Sequence, residues 1–221
     1  MNTLTQSHVS TVLGRLFREA EASLPILQRV VAGVSEAEQD RLMRSKTDYI
    51  DLYSRLKDVA LPVSESAGKL LYMLARANGA QRIVEFGTSF GISALHLAAA
   101  LRDNGGGRLI TCEFEPSKVA RARQNLADGG LLDLVEIREG DALQTLQHDL
   151  PDSIDLVFLD GAKSLYADVL NLLESRLRPG AFVIADNTDH CPDYLARVRS
   201  PNAGYLSVPF GDEVELSMRL G

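Results

Sequence analysis

Only two cysteines occur in 221 residues. Cys112 lies in an apolar run that reads as a strand and Cys191 in a loop, so there is no disulfide framework and a reducing compartment is expected. No stretch of about 18 apolar residues is available to cross a bilayer, and no charged-then-apolar leader opens the chain. A soluble, cytoplasmic protein with no membrane partner is the expectation. An excess of cations is missing as well, since 23 Lys and Arg face 30 Asp and Glu for a formal charge of −7. That balance argues against a broad phosphate-binding face, and so against nucleic acid as the main partner, although a local basic patch stays compatible with it. Internal repeats and low-complexity segments are absent, and so is the G-x-G-x-x-G dinucleotide fingerprint.

With 45% hydrophobic residues, the chain can bury one sizeable core. The pattern predicts a single α/β domain over 59–221 behind an N-terminal helical extension over 1–58. Helices are predicted over 10–31 and 35–56, each with Leu, Ile and Val on one face and separated near Gly33. Such an extension could cover a substrate mouth, pack on the domain or make a dimer contact. Pro62-Val63-Ser64-Glu65 opens a further helix to 77 with Ser64 as N-cap.

The chemistry gathers at strand ends. Ile154-Asp155-Leu156-Val157-Phe158-Leu159 leads into Asp160, and Ala181-Phe182-Val183-Ile184-Ala185 leads into Asp186-Asn187. Both runs read as buried parallel strands, which puts three oxygen ligands at one carboxyl edge, where open α/β sheets bind ligands. Three hard oxygens half-fill an octahedral shell and suit Mg²⁺, with positions left for water and substrate. Acids also end strands simply to cap the next helix, so one alone would say little. Asp189-His190-Cys191 could suggest a softer metal, but no second Cys or His pair completes a tetrahedron and a loop is preferred.

Upstream, Arg82-Ile83-Val84-Glu85-Phe86-Gly87-Thr88-Ser89-Phe90-Gly91 is a strand running into a glycine-bracketed turn, followed by an amphipathic helix over 93–101. Gly87 and Gly91 let the backbone turn sharply beside a ligand, and the first helix amides favour an anion. A pyrophosphate would be repelled by Glu85. S-adenosylmethionine fits better, because Glu85 can face its cationic end while Ser93 and the helix amides hold its carboxylate. Glu113 ends the next strand, 108–112, at 22 residues beyond Gly91, near the spacing of a ribose-binding acid. It could equally pair with a neighbouring Lys or Arg. The strand over 134–138 ends in Gly140-Asp141-Ala142, where Asp141 could accept from the adenine amino group.

Together these residues resemble the class I S-adenosylmethionine-dependent methyltransferases, and within them the metal-dependent catechol and caffeoyl-CoA type O-methyltransferases. The resemblance runs from about Val59 to Arg219. It is carried by Val84-Glu85-Phe86-Gly87, Val157-Phe158-Leu159-Asp160-Gly161-Ala162-Lys163, Leu177-Arg178-Pro179-Gly180 with Ala185-Asp186-Asn187, and Pro192-Asp193-Tyr194-Leu195-Ala196-Arg197-Val198-Arg199. It implies a Rossmann-like fold with a seven-stranded mixed sheet of order 3-2-1-4-5-7-6; the residues themselves predict a helix over 165–177 between the strands that end at Asp160 and Asp186, and a closing antiparallel hairpin of strands over 204–208 and 214–220 joined by the turn Pro209-Phe210-Gly211-Asp212. It further implies Mg²⁺ on Asp160, Asp186 and Asn187, Lys163 as general base, Val63 near the methionine moiety, a small phenolic acceptor and a homodimer. A base at Lys163 is expected to have a depressed pKa. Without the metal ligands it would be an exposed lysine at a helix start, and Val63 a core valine. An NAD oxidoreductase fits less well, and a tRNA methyltransferase or a nonenzymatic cofactor-binding protein on the same fold are the alternatives.

The chain departs from the animal catechol enzyme in having no Trp. The indole walls around its aromatic ring are therefore missing, and Ala162 stands where one would be. Leu206 falls where that enzyme has a glutamate for the second hydroxyl. Regioselectivity does not follow from the resemblance, and Glu213 or Glu215 in that role would be a guess.

Overall fold

The computed structural model describes residues 2–211 and 214–221, with the side chains of Val31 and Glu36 outside the description. Helices α1 (Ser7–Ala32), α2 (Glu36–Arg44), α3 (Tyr49–Arg55) and α4 (Glu65–Ala77) precede the sheet. Next come β1 (Arg82–Phe86), α5 (Ile92–Asp103), β2 (Arg108–Glu113), α6 (Pro116–Asp128) and β3 (Val135–Glu139). The second half adds α7 (Ala142–Thr145), β4 (Ile154–Leu159), α8 (Tyr166–Leu173), β5 (Leu177–Ala185), α9 (Pro192–Val198), β6 (Tyr205–Phe210) and β7 (Val214–Arg219). The seven strands form one sheet in the order β3-β2-β1-β4-β5-β7-β6, as the resemblance implied. β1 to β5 run parallel, while β7 pairs antiparallel with β5 and β6.

The central strands are apolar on both faces because helices cover both. β4 is buried along its whole length, as expected of a parallel strand between two helical layers. One core lies between the sheet and α1, α4, α5 and α6, and the other between the sheet and α7, α8 and α9. From α1, Val9, Val12, Leu13, Leu16 and Ala20 all enter the first core. α5 is buried from Ile92 to Leu101, which leaves no polar face to make it amphipathic.

Asp155 fixes the bottom of the sheet, accepting from the Gln81 and Arg82 amides at 2.9 and 2.8 Å and from Arg178 Nε at 2.6 Å. Those contacts hold its carboxyl below the usual range despite burial, which alone would raise it. The Leu177-Arg178-Pro179-Gly180 motif is thereby structural, its arginine tying β5 to β4.

Three boundaries differ from the sequence reading. The predicted helix over 35–56 is two helices, because Ser45 Oγ accepts from the Thr47 and Asp48 amides and turns the chain. The predicted helix over 165–177 ends at Leu173, and Leu177 already belongs to β5, whose register against β4 shifts between Ile154 and Leu156. Pro209 and Phe210, expected in the hairpin turn, extend β6.

Candidate active site

β1, β2, β3, β4 and β5 all end at one edge, and the site is built there. Gly87 follows β1 at φ +101, and a Cβ on it would lie 2.5 Å from the Asp160 carbonyl oxygen. No other residue allows this approach of the two strand ends. The Asp160 amide donates to the Phe86 carbonyl at 2.8 Å, and the Asp186 amide to the Leu159 carbonyl at 3.0 Å. Each acid stands one residue past its strand and is tied by its own amide to the neighbouring strand. Asn187 adopts φ +52 in the left-handed region, which Asn tolerates better than most residues.

Asp160, Asp186 and Asn187 line one cavity. Among the described residues, no three His, Cys, Asp or Glu side chains cluster as a metal site. The donor set here is instead two carboxylates and an amide, whose hard oxygens fit Mg²⁺ and suit a softer ion poorly. Cys191 belongs to no such site, its buried thiol donating to the Lys163 carbonyl at 3.3 Å.

Lys163 is buried three residues beyond Asp160. Its Nζ donates to Asp160 Oδ1 at 2.9 Å and to the Tyr166 hydroxyl at 2.8 Å, and that hydroxyl donates on to the Asp186 carbonyl at 2.9 Å. A depressed pKa was expected here, but the direction is the reverse. Burial pulls the ammonium down, and Asp160, Tyr53 and Asp186 together outweigh it and hold Lys163 charged beyond the usual lysine range.

Glu85 is fully buried, accepts from Thr111 Oγ1 at 2.6 Å, and has no hydrogen-bond partner of good geometry on Oε1. Desolvation lifts its pKa to about 7, against the pull of the nearby Ser93 and Thr111 hydroxyls. A solvated strand end is thus excluded. A buried acid with one unsatisfied oxygen next to Ser93 suits a cationic ligand group. Ser93 and Val63 line a small cavity with Gly87, Ser89 and Asp160, although Val63 is also a core residue.

A second cavity contains Gly87, Glu113, Asp141, Ala142 and Asp160. Glu113 accepts from the Ser89 amide at 2.9 Å and the Glu115 amide at 3.1 Å, and among the described residues makes no ion pair. Burial raises its pKa, opposed by those amides and by Lys118. Asp141 caps α7 through the Leu143 amide at 2.9 Å while its residue still lines the cavity. Gly87, Glu113, Asp141, Ala142 and Asp160 thus share one cavity, and Val63, Gly87, Ser93 and Asp160 the small one, whereas Glu85 lies buried within β1 and lines neither. Asp160 borders both cavities and the one holding Asp186 and Asn187.

Several site residues escaped the sequence reading. Tyr49 and Tyr53 of α3, with Phe114 and Lys118, complete the cavity that holds Glu113 and Asp141. The Tyr49, Tyr53 pair at i, i+4 was a usable signal, as was Tyr166 three residues beyond Lys163; Lys118 offered none. Burial lowers the Lys118 pKa, partly restored by Glu113. Glu215 is no substitute for the missing glutamate, because it is fully buried and held by Arg199 Nε at 2.8 Å, Arg199 Nη2 at 2.6 Å and Ser207 Oγ at 2.6 Å. Leu206 is exposed on β6, and Glu213 lies outside the described residues.

Comparison with known proteins places this geometry. Residues 84–188 match a family profile described as a methyltransferase domain. The chain is 37% identical over 131 residues to a catechol O-methyltransferase of Niastella koreensis, covering 58% of each chain. It thus spans less than two thirds of that relative. With catechol O-methyltransferase B of Danio rerio it shares 32% over 196 residues, covering 85% of this chain and 73% of the other. Among solved structures, the O-methyltransferase TomG of Streptomyces achromogenes, in complex with S-adenosylmethionine, superposes with a TM-score of 0.59 at 27% identity. That superposition covers 93% of this chain and 99% of the other.

Proposed function

The chain belongs to the catechol O-methyltransferase family, and on that premise we propose that it moves the methyl group of S-adenosylmethionine to a hydroxyl of a small catechol-like acceptor. The observation that carries this reading is the position of Asp160, shared by the two cofactor-side cavities and by the cavity containing Asp186 and Asn187. A donor on one side of Asp160 and an acceptor on the other meet across a single carboxylate.

In this reading Glu113 receives the ribose hydroxyls, Asp141 and Ala142 meet the adenine, and Gly87 lets the backbone approach. Glu85 and Ser93 take the amino and carboxylate ends of the methionine moiety, with Val63 against its side chain. The reaction is an in-line displacement. An acceptor oxygen forms the new C–O bond while the S–C bond breaks, and its electron pair remains on the sulfur of neutral S-adenosylhomocysteine. Asp160, Asp186 and Asn187 would hold Mg²⁺, which lowers the pKa of an adjacent phenol and opposes the field that keeps Lys163 protonated. Lys163, once it has given its own proton to solvent and stands as the neutral amine, is the group placed to take the hydroxyl proton, and its bonds to Asp160 and Tyr166 fix where it stands.

Purified protein incubated with S-adenosylmethionine, Mg²⁺ and catechol is expected to release S-adenosylhomocysteine and guaiacol. Binding of NAD in calorimetry without binding of S-adenosylhomocysteine would overturn the cofactor assignment. Cofactor binding without turnover of any vicinal diphenol would overturn the acceptor class.

A further inference from the structure

The cavity containing Asp160, Asp186 and Asn187 continues along α1. Phe17, Ala20, Glu21, Leu24 and Leu27 all line it, at the spacing that puts residues on one helical stripe. The root of α1 is fixed in the core through Val9, Val12, Leu13 and Leu16. Beyond that the stripe runs out over the groove, where Leu24 is 50% exposed. Pro62 and Val63 line the same groove, as do Phe210 and Val214 of the hairpin, Phe210 also 50% exposed.

Two properties of the groove point to its occupant. From Phe17 to Leu27 an α-helix rises about 15 Å, well beyond the length of a dihydroxyphenyl ring seated at Asp160. The charged residues along the groove are Glu21, Glu65, Asp160 and Asp186, and among its described lining residues there is no Lys or Arg. An anionic extension, whether carboxylate, phosphate or thioester of a phosphorylated carrier, would meet only like charge.

We propose that the acceptor is a catechol carrying an extended, uncharged apolar substituent that lies along the α1 stripe between Leu24, Leu27 and Phe210. This rests on the O-methyltransferase reading above and specifies its substrate. With the indole walls missing, the ring itself is loosely bounded, and contact along α1 supplies the selectivity that the ring pocket does not.

The test is a series of 4-alkylcatechols from methyl to hexyl, together with 3-(3,4-dihydroxyphenyl)propionate, read as kcat/KM. Each buried methylene is expected to raise kcat/KM by about twofold or more, so at least about thirtyfold between the methyl and hexyl compounds, with the carboxylate compound poorer than its neutral counterpart of similar length. Leu24→Asp and Leu27→Asp are expected to flatten the series, and the wild-type series stands as a test without them. A flat wild-type series with robust turnover of catechol would overturn the substituent proposal and leave the methyltransferase reading intact. Failure of every catechol despite bound S-adenosylhomocysteine would overturn both.

Discussion

The Lys163 ammonium and the Asp160 carboxylate meet at 2.9 Å inside the protein, on a short turn that starts where β4 ends. The ion pair joins the acid common to all three cavities to the side chain proposed, as its neutral amine, to receive the acceptor's proton. Tyr166 extends it, bridging Lys163 to the Asp186 carbonyl and stacking edge-on against Phe86 and Tyr194.

Removing the amine tests its role directly. Lys163→Met keeps most of the buried stem and is expected to lower kcat about 10²- to 10⁴-fold. Cofactor affinity should change little, and steady-state kinetics with calorimetry checks both. Tyr166→Phe keeps the aromatic packing and removes one acceptor and one donor. It is expected to cost about 1 to 3 kcal/mol in urea unfolding and to lower kcat more than it raises the acceptor KM.

Metal removal separates binding from turnover. EDTA is expected to abolish guaiacol formation by the wild-type protein and added Mg²⁺ to restore it, while calorimetry still shows S-adenosylhomocysteine bound. Asp160→Ala should lose the Mg²⁺-dependent rate altogether. Undiminished turnover in EDTA would remove the role given to Asp186 and Asn187.

Glu85 gives a pH dependence with a definite sign. Its pKa is raised from 4.5 to about 7 by burial, so the folded protein holds a proton that the unfolded chain releases. The stabilisation is fully present below the ordinary carboxyl pKa and is lost as pH rises through about 7. Glu85→Gln escapes that loss, and its stability advantage is expected to grow from near zero at pH 4 to about 3 kcal/mol above pH 8. The same substitution should weaken S-adenosylmethionine binding. Urea melts at the two pH values decide the first point, and an advantage independent of pH would count against it.

Gly87→Ala is expected to destabilise the protein by about 3 kcal/mol or more and to lower activity by more than the loss of folded protein explains. The added methyl would collide with the backbone of Asp160, and the φ of +101 already disfavours a side chain. Gly105→Ala is the control, with φ +91 and nothing within 4 Å of the new Cβ. It should show only a backbone cost of about 1 kcal/mol.

The sheet was legible because buried parallel strands write themselves as apolar runs. Ile154 to Leu159 and Ala181 to Ala185 needed no tertiary information, and each acid that follows a strand marks its carboxyl end. The strand order came from family resemblance and not from the runs themselves. What stayed hidden depends on partners distant in sequence. The break after Arg44 is made by a serine hydroxyl with no Pro or Gly to announce it. Tyr49, Tyr53 and Lys118 join the site only after α3 and α6 fold against the sheet edge. The protonation bias of Lys163 was misjudged because burial alone depresses an amine, and the opposing carboxylates are visible only in three dimensions.

α1 is secured at its root by more than apolar contact. Arg15 Nη2 donates to Asn125 Oδ1 at 2.9 Å, and Arg121 Nη2 donates to Glu19 Oε2 at 2.6 Å. Its outer turns carry none of the proposed reacting groups, which all stand on loops rooted in the sheet. Exchanging those turns would retune which molecule is admitted without moving an atom of the reacting centre. The fold thus offers an engineer a replaceable front wall on a fixed chemical frame.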